Sequence, residues 1–225
     1  MTMQPKALVI GAQGTIGTAL CDNLAANHEV HQLARSNCDF TEKSLQQHSQ
    51  SFQELGKFSK IICTIGVLHD DLVQPEKRIK ELDQEKLAHY FLVNSILPIL
   101  CLKHFQSLLD KQSKSVFASL SAMVGSTKDN QLGGWYGYRA SKAALNSMIK
   151  TASIEIARTH KQSAVIAIHP GTTVGDLSSP FAKNVKPGKY YSPQQSAERI
   201  IGVINAVTAG QTGSFFNWDG QLLDW

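Results

Sequence analysis

The stretch Ala7-Leu8-Val9-Ile10-Gly11-Ala12-Gln13-Gly14-Thr15-Ile16-Gly17 decides the fold. Its first four residues are wholly apolar, which is typical of a strand buried on both faces of a parallel sheet. Three glycines then lead into a helical run through Leu20 and Leu24. Glycines let a backbone approach a phosphate, and a helix N-terminus offers free N–H groups. The pattern therefore predicts a phosphate-binding loop, with an ordinary tight strand-to-helix turn as the alternative.

The rest of the chain alternates between short apolar runs and helical patterns. Further strands are predicted at residues 29–34, 60–66, 115–121, 164–168 and 214–218, with 38–40 as a candidate third strand. Helices are predicted at 41–55, 87–109, 138–158 and 193–209. This alternation predicts an α/β fold with a single doubly wound parallel sheet and helices on both faces, the Rossmann fold, in one domain over residues 1–225.

Composition and charge exclude several classes of protein. The 225 residues are 42% hydrophobic and 18% charged, with a net charge of +4, so a globular chain is predicted and nucleic-acid binding is not. The four cysteines form no Cys-x-x-Cys pair and the histidines show no ligand spacing, which predicts reduced thiols and no metal site. No signal peptide is evident, and the apolar stretch from Phe91 to Leu102 is too short and interrupted to span a bilayer. We therefore expect a cytoplasmic protein with no membrane association.

The end of the second predicted strand bears on nucleotide preference. An acidic residue there would hold a ribose 2′-hydroxyl, but the chain has Ala34-Arg35-Ser36. Because a guanidinium grips phosphate with a fork of donors, Arg35 favours NADP over NAD, with a surface arginine as the alternative. Asp39 either accepts a hydrogen bond from the adenine amino group or begins a turn.

Tyr138 and Lys142 lie four residues apart in a helical run, so they share one helix face. An ammonium beside a phenol favours the phenolate and lowers the tyrosine pKa, which makes the pair suitable for proton transfer. On the pair alone, an ordinary helix face is the alternative.

Two other polar residues are candidates for the same site. Asn94 interrupts an apolar helix, where its amide is either a structural hydrogen-bonding group or the anchor of a water on a proton path. Ser121 ends a predicted strand, where it either donates to a substrate oxygen or starts a turn. The charges between Val67 and Lys86 are interpreted as a solvated surface.

Together these residues resemble the short-chain dehydrogenase/reductase family along nearly the whole chain. The motifs occur in the family's order: the glycine loop from Gly11, then Asn94, Ser121, Tyr138-x-x-x-Lys142 and Pro170-Gly171. The stretch from Gly125 to Asn146 and the ending from Phe216 to Trp225 are similar to the subgroup of C-factor proteins and Sniffer carbonyl reductases.

The resemblance implies a role for each motif. Tyr138 would be the general acid/base, Lys142 would lower its pKa and hold the nicotinamide ribose, Ser121 would bond the carbonyl oxygen, and Asn94 would anchor a water. The cofactor-binding residues would be Gly11, Gln13, Gly14, Thr15, Ile16, Gly17, Arg35, Ser36, Asp39, Phe40, Ile65, Gly66, Asn94, Tyr138, Lys142, Pro170, Gly171 and Thr173.

The chain departs from the family pattern at four places. Cys63-Thr64-Ile65-Gly66 replaces the usual Asn-Asn-Ala-Gly, and the glycine loop lacks the commonest spacing and leading threonine. The spacing from serine to tyrosine is longer than usual, and an ungapped match puts Ala122 at the serine position. We favour Ser121, with Ser119 second. Either Thr172 or Thr173 would hold the carboxamide.

The resemblance implies an oxidoreductase that transfers a hydride between NADP(H) and a carbonyl or alcohol substrate. The alternative is a cofactor-binding signalling or regulatory protein with incidental turnover. Residues 173–191, which include Pro187, are expected to form a lid or an ordinary packed loop. A homodimer or homotetramer is expected, and the substrate itself is not predicted.

Overall fold

A six-stranded parallel sheet forms the centre of the computed structural model, which describes residues 4–185 and 188–225. Its strands are β1 (Lys6–Ile10), β2 (Glu29–Leu33), β3 (Phe58–Cys63), β4 (Ser115–Leu120), β5 (Ser163–His169) and β8 (Phe215–Asn217), in the order β2-β1-β3-β4-β5-β8. Every neighbouring pair is parallel. The strand order moves outward from β1 in both directions, as in a doubly wound sheet. The predicted fold class is confirmed.

Helices cover both faces of the sheet. They are α1 (Thr15–Leu24), α2 (Glu42–Gln53), α3 (Gln84–Phe91), α4 (Leu97–Phe105), α5 (Tyr136–Ile156) and α6 (Pro193–Ala206). Strand β1 shows why two layers are needed: Ala7 and Val9 pack in the core beneath α1 and α6, whereas Leu8 and Ile10 pack in the core beneath α2, α4 and α5. All four are fully buried, so both faces of the strand contribute to the hydrophobic stabilisation.

The candidate strand at 38–40 is not a strand. Phe40 has a φ of 58°, which no extended strand adopts. The Asp39 carboxylate accepts hydrogen bonds from the backbone N–H and the hydroxyl of Thr41, 2.9 and 2.8 Å away. Thr41 in turn caps α2 by accepting from the Ser44 N–H. The short run is therefore the turn that starts α2.

The apolar helix around Asn94 is longer than predicted. Helix α3 continues through a π-helical segment, Leu92–Ile96, into α4 and a 3₁₀ turn, so that residues Gln84–Leu108 form one 25-residue helix. The π-helical segment lies just before Pro98. Because proline has no backbone N–H to donate, the regular α-helical bonding is interrupted there. The prediction that the stretch is too short to span a bilayer is wrong: by length and composition alone this helix passes. Buried core helices pass the same test, and this one packs on α5 and α2.

A two-stranded ribbon of β6 (Thr172–Thr173) and β7 (Tyr190–Tyr191) brackets the predicted lid. Between these strands, Ser179–Asn184 forms a 3₁₀ helix. Pro187 of the predicted lid lies outside the described residues. The ribbon fixes both ends of the segment at the carboxyl edge of the sheet, beside the end of β5.

Candidate active site

The predicted site residues meet at the carboxyl edge of the sheet. The glycine loop follows β1, Gly66 follows β3, Ser121 follows β4, and Pro170-Gly171 follows β5. The strand order changes direction between β1 and β3, and ligands of open α/β sheets bind at such a point. Helix α5 brings Tyr138 and Lys142 to the same edge.

The glycine loop leaves the start of α1 open. Gly14 caps the helix without a side chain, is exposed, and the first turn of α1 holds no acidic residue. The first N–H groups of a helix have no partner within it and carry the positive end of its dipole. A Cβ at Gly17 would lie 2.2 Å from the Gly11 carbonyl oxygen, so loop and helix pack too closely for any side chain there. This geometry suits an anion at the helix terminus.

The residues after β2 lie beside this loop. The Gln13 side chain donates to the Ser36 hydroxyl across 2.8 Å and ties the two segments together. The Arg35 side chain is exposed and makes no hydrogen bond or ion pair within residues 4–185 and 188–225. The Thr41 backbone N–H, followed by its hydroxyl, lowers the pKa of Asp39. Asp39 is therefore already engaged as a turn residue.

Gly66, Asn94 and Lys142 form a close polar group. A Cβ at Gly66 would lie 3.1 Å from Lys142 Nζ and 3.3 Å from Asn94 Oδ1. The fully buried Asn94 amide accepts from the Val67 N–H at 2.8 Å and donates to the Val67 carbonyl at 2.9 Å and to Ser141 Oγ at 3.1 Å. These bonds satisfy the amide, which favours the structural interpretation of Asn94 in this structure. Its predicted role in holding a water stays a prediction.

Tyr138 and Lys142 are both buried, and burial dominates their titration. Desolvation raises the pKa of Tyr138 above its usual value and lowers the pKa of Lys142 to about 8. Lys142 Nζ donates to the Leu120 carbonyl across 3.0 Å. The expected lowering of the tyrosine pKa by the lysine is therefore not what this structure shows. The Tyr138 phenol stays protonated at neutral pH.

The two tyrosines at the site differ in what their hydroxyls do. Tyr90 packs edge-on against Tyr138, with ring centroids 6.4 Å apart, and donates its hydroxyl to the Leu68 carbonyl at 2.6 Å. The Tyr138 hydroxyl makes no hydrogen bond to any residue in the described part of the chain. It is therefore the phenol available to a ligand.

Ser121 does not join Tyr138. Its hydroxyl donates to Asn146 Oδ1 at 2.6 Å, and both side chains are buried. The next residue, Ala122, belongs to the apolar cluster around the Tyr138 ring. Because successive residues of an extended chain point to opposite sides, only one of them can face the tyrosine. In this structure the Ser121 hydroxyl is engaged by Asn146, and Ser119 is fully buried within β4, so the role predicted for Ser121 stays a prediction.

The remaining predicted residues are placed as follows. Thr173 Oγ1 lies 2.7 Å from Ser196 Oγ of α6, and Thr172 is half-buried on the same ribbon. Gly171 packs against Tyr191 and Trp218, which follows β8. Ile16, Phe40 and Ile65 are half-buried apolar residues on the two cores, and Thr15 is exposed against Gly175 of the predicted lid.

Sequence reasoning missed Glu76 and Trp135. Glu76 lies in the stretch interpreted as a solvated surface, yet only 4% of it is exposed. Its Oε2 accepts from the Gly137 N–H at 3.1 Å, in the first turn of α5, and its backbone carbonyl accepts from the Trp135 N–H. Trp135 precedes α5 with a φ of 54°. The Gly133-Gly134 pair was the one sequence signal of an unusual backbone here.

Comparison with known protein families adds to this geometry. A family model described as enoyl-(acyl carrier protein) reductase matches residues 7–208. The chain is 27% identical over 188 residues to 1-hydroxy-2-glutathionyl-2-methyl-3-butene dehydrogenase of Rhodococcus sp. (strain AD45), covering 82% of this chain and 76% of that protein. It is 26% identical over 145 residues to C-signal of Myxococcus xanthus, covering 64% of this chain and 82% of that one.

Solved structures share the whole fold. The carbonyl reductase Sniffer of D. melanogaster superposes with a TM-score of 0.81 at 20% identity, covering 99% of this chain and all of that one. The NADPH-bound carbonyl reductase from chicken fatty liver superposes with a TM-score of 0.82 at 19% identity, covering 100% and 96%. At these identities the likeness concerns the fold.

Proposed function

The chain belongs to the short-chain dehydrogenase/reductase family of oxidoreductases, and we propose that it is an NADPH-dependent carbonyl reductase with Tyr138 as general acid. The observation that carries the proposal is the buried phenol of Tyr138, which makes no hydrogen bond within the described residues and lies one helical turn before the buried Lys142 at the carboxyl edge of the sheet. The two solved structures described above are both named carbonyl reductases, one with NADPH bound, which supports the same chemistry.

The residues present fit a nicotinamide dinucleotide. The open N-terminus of α1 suits a pyrophosphate, and the exposed guanidinium of Arg35 suits a 2′-phosphate. A side chain at Gly66 would crowd Lys142 and Asn94, and with glycine there ribose hydroxyls can approach both. When bound, the cofactor supplies the hydride. The other cofactor-binding residues named from the sequence are part of the proposal, although the Asp39 carboxylate is already bonded to Thr41.

The protein's own residues would manage the proton. The raised pKa keeps the Tyr138 phenol protonated, so it can donate a hydrogen bond and then the proton to a carbonyl oxygen that gains negative charge. Lys142, whose pKa lies at about 8, is largely charged at neutral pH and would stabilise the resulting phenolate. With Ser121 bonded to Asn146, Tyr138 would be the main donor to that oxygen.

The cofactor preference is tested with Arg35→Ala. Because the guanidinium would form charge-assisted bonds to a 2′-phosphate, we expect NADPH affinity to fall about 10-fold or more, while NADH affinity stays unchanged. Calorimetric titration of both nucleotides measures this. The control is Arg158→Ala, an exposed arginine beyond the far end of α5. Equal NADPH binding by wild type and Arg35→Ala would contradict the assignment, and wild-type binding of neither nucleotide would contradict the reductase proposal.

A second candidate is a cofactor-binding signalling protein, which the similarity to C-signal favours. The two candidates differ in whether the biological role requires proton donation by Tyr138. A biological phenotype that survives Tyr138→Phe and disappears with Arg35→Ala would favour binding over turnover. Loss of the phenotype in both variants would favour the reductase.

Three further properties are part of the proposal. We assign the chain to one domain, to the cytoplasm, and to a homodimer or homotetramer. Ile99 and Ala152 line a groove between α4 and α5, and Ile154 is 54% exposed, which supports a subunit contact on these helices.

A further inference from the structure

Three consecutive residues before α5 have left-handed backbone conformations. The φ angles of Gly133, Gly134 and Trp135 are 66°, 65° and 54°. Glycine adopts this region without cost, but a tryptophan there is strained. Strain of this kind persists only where surrounding contacts enforce it, and it concentrates at functional sites. The position of Trp135 therefore needs a structural explanation and a functional one.

Glu76 supplies the structural explanation. Its backbone carbonyl holds the Trp135 N–H and its carboxylate holds the Gly137 N–H, so one buried residue bonds on both sides of the helix start. A carboxylate at a helix N-terminus is also favoured by the helix dipole. A Cβ at Gly137 would lie 2.4 Å from the Tyr90 ring, so this end of α5 is packed tightly against α3. The strained backbone is thus fixed from two directions.

The fixed backbone places the Trp135 indole between the catalytic helix and the predicted lid. Its ring centroid lies 6.1 Å from that of Tyr138, at an interplanar angle of 74°, and 5.1 Å from that of Phe181, at 60°. Phe181 lies in the 3₁₀ helix Ser179–Asn184, and the His69 ring packs edge-on against it with centroids 5.8 Å apart. Trp135 and Phe181 form what we call the aromatic wall.

Hydrophobic side chains make up most of the packing around the Tyr138 ring. The cluster around Tyr138 consists of Leu68, Val73, Tyr90 and Ala122, with Val67, Val124, Trp135 and Phe181 packed against it. The buried Glu76 carboxylate lies beside this cluster, where it accepts from the Gly137 N–H, and the Tyr90 hydroxyl is bonded to a backbone carbonyl. A ligand that reaches the Tyr138 phenol therefore meets largely hydrocarbon and aromatic surfaces on the side of Trp135 and Phe181. Edge-to-face contacts of the kind already seen here favour another aromatic ring as a partner.

We propose that the aromatic wall of Trp135 and Phe181 selects carbonyl compounds that carry an aryl group next to the carbonyl, such as aryl aldehydes and aryl ketones. This inference rests on the proposed function, because the wall adjoins the proposed acid. The wall would hold the ring of the substrate, while the Tyr138 hydroxyl holds the carbonyl oxygen. Small aliphatic aldehydes would accept the same hydrogen bond from the Tyr138 hydroxyl but would make no ring contact with the aromatic wall.

The test compares kcat/KM for benzaldehyde with kcat/KM for butanal, with NADPH as the reductant. In Trp135→Leu and Phe181→Leu we expect kcat/KM for benzaldehyde to fall about 10-fold, and kcat/KM for butanal to change less than about 3-fold. Phe181→Leu avoids the strained position, so it keeps the test valid if Trp135→Leu does not fold. The matched control is Tyr136→Leu, which removes a partly exposed aromatic residue outside the cluster. Equal losses for both substrates, or no loss for benzaldehyde, would overturn the proposal.

Binding separates this inference from the proposed function. Calorimetric titration of acetophenone and 2-butanone into the NADPH-loaded protein reports on the wall without turnover. Tighter binding of acetophenone that both leucine variants weaken, with no reduction of any carbonyl, would support the wall and contradict the reductase. Reduction of carbonyls with no preference for the aryl compound would support the reductase and contradict the wall.

Discussion

Replacing Tyr138 with phenylalanine is expected to lower kcat/KM for carbonyl reduction by on the order of 10²-fold or more. The substitution removes one oxygen from a ring that is 8% exposed and packed between Tyr90 and Trp135. Because that hydroxyl makes no hydrogen bond within the described residues, its removal leaves no buried group without a partner. The fold and NADPH binding should therefore persist while proton donation is lost. Steady-state NADPH consumption measures the effect.

The matched control for this variant is Tyr90→Phe. Tyr90 lies beside Tyr138, but its hydroxyl already donates to the Leu68 carbonyl and is therefore not available to a ligand. We expect Tyr90→Phe to lose about 1 kcal/mol of stability and to keep turnover within a few-fold of wild type. Wild-type turnover in Tyr138→Phe would show that another group donates the proton.

Replacing Lys142 with methionine is expected to lower turnover by a similar factor and yet to stabilise the unliganded fold at neutral pH. Burial lowers the pKa of Lys142 from 10.5 to about 8, so the folded state holds the charged form at a cost of about 3 kcal/mol. Methionine removes this cost. It also removes the bond to the Leu120 carbonyl, a loss of about 1 kcal/mol, so we expect a net gain of about 2 kcal/mol at pH 7.

The sign of the pH dependence distinguishes this cause from simple repacking. The folded pKa of Lys142 lies below the unfolded one, so between pH 8 and 10.5 the unfolded state binds the extra proton. Wild-type stability therefore gains a contribution as pH rises through this window, and the advantage of Lys142→Met should shrink there. Urea unfolding at pH 7 and pH 9.5 measures it, with the exposed Lys161→Met as control. A constant advantage at both pH values would contradict a charged, buried lysine.

The fold was predictable where the pattern is local. Runs such as Ala7 to Ile10 and Ala164 to Ile168 are apolar at every position because both faces of their strands are buried, and such runs are visible in the sequence. The strand predicted at 38–40 was wrong because a pattern of three residues is too short to distinguish a strand from a turn. The left-handed Phe40 and the bonds from Asp39 to Thr41 determine a turn there.

The site was less predictable because its decisive contacts are between distant residues. Nothing near Glu76 in sequence shows that it will be buried at the start of α5, sixty-one residues further on. Ser121 and Ala122 are neighbours, and only the twist of the chain after β4 decides which one faces Tyr138. The pKa of Tyr138 could not be predicted for the same reason. The helical spacing shows that Lys142 is near in sequence, but it does not show the burial that raises the tyrosine pKa.

The most direct test of the reductase proposal is deuterium transfer from NADPH that carries deuterium at both C4 positions of the nicotinamide ring. The protein is incubated with labelled NADPH and benzaldehyde or butanal, and the alcohol is analysed by mass spectrometry. We expect an alcohol one mass unit heavier, formed in a one-to-one ratio with oxidised cofactor by wild type and at a rate reduced by about 10²-fold or more by Tyr138→Phe. NADPH bound with no labelled alcohol formed from either carbonyl would contradict it.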